Sequence, residues 1–144
     1  MSKFGIIVKT ATGVIATTAT LLTALRENPQ IAKGIDDAVG KLKASANSEN
    51  PKLRFDAKLG AINVAADAVE AEFPGAREPE GWRRQAQALR VRGELAWSAN
   101  TGKDRRKAMK ALNAETAELL SAINERLATL QQPTEIEPSA DEAR

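Results

Sequence analysis

The chain has 144 residues and no cysteine, histidine or tyrosine, with three phenylalanines and two tryptophans. These absences exclude disulfides and thiolate metal sites, and they remove the commonest general base and the commonest transition-metal ligand. The net charge is only +2, but residues 82–110 hold nine Lys or Arg against two acids, residues 111–144 hold seven acids against two bases, and residues 1–81 balance at ten of each.

One domain is expected at this length, large enough to bury about 70% of its unfolded surface without staples. Alanine supplies 27 residues, and most of the remainder are other strong helix formers. The fold class read from this pattern is all-α: an antiparallel bundle of four to five helices over residues 1–131, followed by a disordered acidic tail at 132–144.

The first expected helix runs from about Lys3 to Arg26, with Phe4, Ile7, Ala11, Val14, Thr18, Leu21 and Leu25 on one face. From Thr10 to Leu25 there are sixteen uncharged residues, short of the roughly 20 that span a bilayer, and six of them are threonine. A buried or amphipathic soluble helix is the first reading of residues 4–25, a helix lying on a membrane surface is the second, and a spanning helix is the third. Two further helices open on the same signal, Asn28-Pro29 and Asn50-Pro51, where Asn suits the N-cap and Pro the first helical position. The second carries Ile31, Ile35, Val39 and Leu42. The third carries Phe55, Leu59, Ile62, Ala66, Val69 and Phe73, a narrow seam.

Residues 74–81, Pro-Gly-Ala-Arg-Glu-Pro-Glu-Gly, read as the clearest linker and as a hinge position. The fourth helix, from about Pro79 to Ser98, aligns Trp82, Ala86, Leu89, Gly93 and Trp97 on one face. Trp97 is expected in the core. The fifth opens after Asn100-Thr101-Gly102, with Thr101 and Asp104 at capping-box spacing, and its seam is Met109, Leu112, Thr116, Leu119, Ile123, Leu127 and Leu130.

The fourth and fifth helices form a hairpin, and the basic stretch surrounds it. Arg83 and Arg90 share one face of the fourth helix, with Glu94 placed to pair with Arg90. Lys103, Lys107 and Lys110 line up opposite the leucine seam of the fifth, flanked by Arg106, while Arg105 turns toward the seam. Bases in the first turns of a helix oppose its dipole, at about 0.3–1 kcal/mol each. The candidate anion- or partner-binding residues are therefore Lys103, Arg106, Lys107, Lys110, Arg83 and Arg90. The acidic tail is a competing internal partner for them.

Other chemistry is sparse. Asp67 and Glu70 share a polar face, but a carboxylate-bridged metal site in a bundle also calls for histidines, and the chain has none. Thr101-Gly-Lys-Asp lacks the glycine spacing of a phosphate-binding loop. No catalytic residue, cofactor, metal or small-molecule substrate is expected. The expected function is that of a non-enzymatic cytoplasmic interaction, adaptor or structural protein, with a protein partner or self-association first. Nucleic-acid binding through the basic hairpin is the alternative, and peripheral membrane attachment through the first helix is another.

Overall fold

A computed structural model of the protein describes residues 11–131. Five helices follow one another: α1 Ala11–Ala24, α2 Pro29–Ser45, α3 Pro51–Glu72, α4 Glu78–Ala99 and α5 Gly102–Leu130. There is no strand among the described residues, so the fold is all-α, as composition and periodicity predict. The start of the first helix at 3–10 and the acidic tail at 132–144 lie outside the described residues.

The Asn-Pro starts work as expected. Asn28 and Asn50 have extended backbones, and each side chain accepts a hydrogen bond from the backbone N–H two residues on, at 2.9 Å. Asn28 also donates to Glu72 at the far end of α3, at 2.7 Å. Removing the Asn50 cap by Asn50→Ala is expected to cost about 1 kcal/mol in urea unfolding. Asn28→Ala should cost more, because the tie to Glu72 goes with the cap.

Consecutive helices are antiparallel. In α3 and α4, Gly93 meets Phe55 near one end while Arg83 meets Asp67 and Glu70 near the other. In α4 and α5, Arg105 packs on Trp97 by the turn while Glu78 lies by Arg126 at the opposite end. Strict alternation leaves α1, α3 and α5 pointing the same way. Helices α1, α2, α3 and α5 close into a ring of four, and α4 packs outside it in the groove between α3 and α5.

Helix α3 is therefore the hub and touches all four others. The narrow seam expected for it is much wider in the structure. Besides Phe55, Leu59, Ile62, Ala66 and Val69, the helix buries Ala57, Lys58, Ala61, Ala65 and Ala68. Alanine all round a helix allows partners to approach on every side, a signal that a search for large apolar residues passes over. On α1, Val14, Leu21 and Leu22 are buried in the common core, as is Leu25 just after it, so this part of the apolar segment faces protein. Among the described residues, no helix is long and apolar enough to cross a membrane.

On α5 the buried side chains are Met109, Leu112, Thr116, Leu120, Ile123, Asn124 and Leu127. Leu120 takes the place expected for Leu119, which is half-buried, and Asn124 is fully enclosed. The Asn124 amide lies 3.4 Å from the Val14 carbonyl and 3.1 Å from the Thr18 hydroxyl. That hydroxyl also reaches the Val14 carbonyl at 2.7 Å. A polar cluster thus pins α5 to α1 within the core.

Candidate anion-binding face

The first turns of α5 carry the residues singled out from sequence, and the structure sorts them. Lys103, Arg106, Lys107 and Lys110 are all exposed, and none has a carboxylate within ion-pair distance among the described residues. Arg106, Lys107 and Lys110 line a cleft of about 520 Å³ together with Glu49, Pro51 and Arg54. Asn113 fixes the placement of α5 by donating to the Pro51 carbonyl and to its own Met109 carbonyl, both at 3.1 Å. Helix α5 thus begins about two turns ahead of α3 and stands over the corner between α2 and α3.

Thr101 does not form the expected capping box, since its side chain makes no hydrogen bond to the helix start. The chain turns from α4 into α5 through Gly102 at φ 54°, a left-handed conformation suited to glycine, and capping gives way to that turn. The bases at this helix start therefore lack both a carboxylate partner and a side-chain cap beneath them.

Arg83 and Arg90 do not join the face. Arg83 donates to Asp67 at 2.7 Å and Glu70 at 2.8 Å, and these bonds hold its guanidinium more firmly protonated than usual. The acidic pair on α3 is thereby accounted for by a base. Arg90 opens on the other side of α3, near Lys41 and Asp56, and makes no ion pair with Glu94. Packing against α3 draws it away from the expected helical pairing.

Most other bases of the hairpin are also matched. Arg92 holds Glu115 through two bonds of 2.8 Å, which keeps that carboxyl below the usual carboxylate range. Arg84 lies 3.5 Å from Glu80. Arg126 Nε sits 2.8 Å from Glu78, close enough for attraction though not aligned as a hydrogen bond. Arg105 behaves as its wheel position suggests. Its guanidinium stacks 4.3 Å above the Trp97 ring and donates to the Trp97 and Asn100 carbonyls, tying the hairpin shut. Trp97 is half-buried under it, whereas Trp82 is in the core.

A second cleft, also of about 520 Å³, adjoins the first and shares Arg54 with it. It lies among α1, α2, α3 and α5, with Lys58 in its wall. Lys58 is only 5% exposed. It donates to Asn113 Oδ1 at 2.7 Å and, more weakly, to the Arg54 carbonyl at 3.4 Å. Burial, with some repulsion from Arg54, lowers its pKa to about 8. Neither Arg54 nor Lys58 stands out in the sequence, because their placement depends on how four helices meet.

The chain matches no family model, no curated protein and no solved structure. Function is therefore read from these side chains. Among the described residues, no group of three or more acidic side chains is placed to hold a metal ion.

Proposed function

We propose that the protein is a non-enzymatic interaction protein that docks an acidic partner on the cleft bounded by Arg54, Arg106, Lys107 and Lys110, with Lys103 at its edge. The observation that carries this reading is the contrast in pairing. Within the α4–α5 hairpin, Arg83, Arg84, Arg92 and Arg126 each have a carboxylate within 4.0 Å, while the four exposed bases of α5 have none among the described residues and gather at one helix start. Exposed pairs add little stability, so their presence elsewhere reflects ordinary surface chemistry. Concentrated unpaired charge of one sign raises the local concentration of oppositely charged partners.

A nucleic acid is the second reading, favoured because Arg54, Arg106, Lys107 and Lys110 surround one cleft rather than lying scattered. Fluorescence anisotropy with labelled polyglutamate and with random-sequence duplex DNA separates the two. The acidic-protein reading expects polyglutamate to bind at 50 mM salt and DNA to bind no more tightly. The nucleic-acid reading expects DNA to win, with affinity falling roughly a hundredfold between 50 and 200 mM salt if four phosphates are contacted. Reversing Lys103, Arg106, Lys107 and Lys110 to Glu should abolish either interaction. Arg83→Gln should leave it unchanged, since Arg83 is already engaged. Absence of binding by either probe at 50 mM salt would sink both readings.

A further inference from the structure

The cleft beside the basic face has a composition that the docking reading leaves unused. One wall is alkyl, made by Ile15, Ala16 and Ala19 of α1 and by Ala114 and Ala117 of α5. The same lining brings Lys43 of α2 together with Arg54 and Lys58 of α3. None of these three bases has an acid within ion-pair distance among the described residues. Arg54 is occupied in part by the Ser48 carbonyl.

Lys58 is the unusual member. An ammonium group has three N–H donors, and Lys58 finds two acceptors, one of them long. A buried charge without a counter-charge is costly, and a neutral amide would satisfy Asn113 without that cost. Three like charges converging on one cavity raise the cost further. These bases suit an anion, and the alkyl side chains of the same lining suit an apolar body attached to that anion. A small, singly charged head is favoured over a phosphate dianion, which loses more hydration on entering a cleft with so few donors.

We propose that this cleft binds a single-chain carboxylate amphipath, with the carboxylate held by Lys58 and Arg54 and the hydrocarbon chain lying along Ala16, Ala19, Ala114 and Ala117. The site is distinct from the exposed bases of α5, and it adds a small-molecule ligand to a protein for which the sequence suggests none.

The test is calorimetric titration of the full chain at pH 7 with decanoate below its micellar concentration, beside decanol and acetate. The expected result is one decanoate per chain, with decanol and acetate at least tenfold weaker. Lys58→Met and Ala117→Leu, which remove the charge and fill the cavity respectively, should each weaken decanoate at least tenfold. Helical circular dichroism checks that each variant is folded, and Lys58→Met removes a destabilising buried charge, so it serves if Ala117→Leu does not fold. Failure of decanoate to bind overturns the proposal. Binding of decanol as tight as decanoate, or binding unaffected by Lys58→Met, also overturns it. Neutralising Lys103, Arg106, Lys107 and Lys110 to Gln, which places no acid beside the shared Arg54, should weaken the docking reading's binding and leave decanoate binding intact, so failure of the docking reading and failure of this one are separable.

Discussion

Gly93→Ala should destabilise the protein by about 1–3 kcal/mol, although alanine is the better helix former by about 1 kcal/mol. Gly93 is buried in α4 where that helix crosses α3, and the Phe55 ring fills the space a side chain would take. A Cβ placed there overlaps Phe55 Cε2 and comes within 2.7 Å of Cζ. Phe55 is itself 2% exposed, so its ring has little room to yield. The two helices must separate or the ring must leave its rotamer. Gly40, on the exposed side of α2, has nothing within 4 Å of its added Cβ. Gly40→Ala should therefore stabilise by about 0.5–1 kcal/mol. Urea unfolding of both variants checks the contrast. Equal gains would show that α4 does not depend on close approach at Gly93.

Raising the pH should stabilise the wild-type protein relative to Lys58→Met by up to about 3 kcal/mol. The sign follows from proton binding. Lys58 has an ordinary pKa near 10.5 in the unfolded chain and one of about 8 in the folded protein. Below about 8 it is charged in both states, and the cost of burying the charge is fully present. Between 8 and 10.5 the unfolded chain keeps a proton that the folded chain has released, so unfolding becomes harder as pH rises. A displacement of this size corresponds to about 3 kcal/mol. The absolute difference at pH 7 is less informative, because Lys58→Met also strips Asn113 Oδ1 of its donor, a loss of about 1–3 kcal/mol. The change in that difference from pH 7 to pH 10.5, measured by urea unfolding without added carboxylate, isolates the lysine. A flat difference would mean that Lys58 is solvated.

Local signals were the legible ones. Asn28-Pro29 and Asn50-Pro51 announce helix starts because a cap involves only neighbouring residues. Trp82, Ala86, Leu89 and Gly93 mark the inner face of α4 because that helix packs on one side only. The seam of α5 slips for a geometric reason. Steps of three and four average 3.5 residues, whereas a straight helix turns in 3.6, so the stripe drifts about 20° per heptad. Within two heptads Leu120 and Asn124 have come round to the core. The basic face is legible in part. Lys103, Arg106, Lys107 and Lys110 stand clear of acids as their helical positions suggest. Arg83 is removed by Asp67 and Glu70, whose meeting depends on the register of α4 on α3. Lys58 is the hardest to foresee, since no feature of a lysine between Ala57 and Leu59 says that three other helices will surround it.

The pairing of α1 with α5 has a consequence for synthesis. Thr18 bonds to Asn124, and Gln131 bonds to the Leu21 carbonyl at 3.1 Å. About a hundred residues separate these partners, and at 5–20 residues per second a ribosome needs roughly 5–20 s to travel from one to the other. Throughout that interval the nascent chain displays Val14, Thr18 and Leu22 without the helix that covers them, leaving an apolar, threonine-rich surface open to chaperones or to neighbouring chains until α5 arrives.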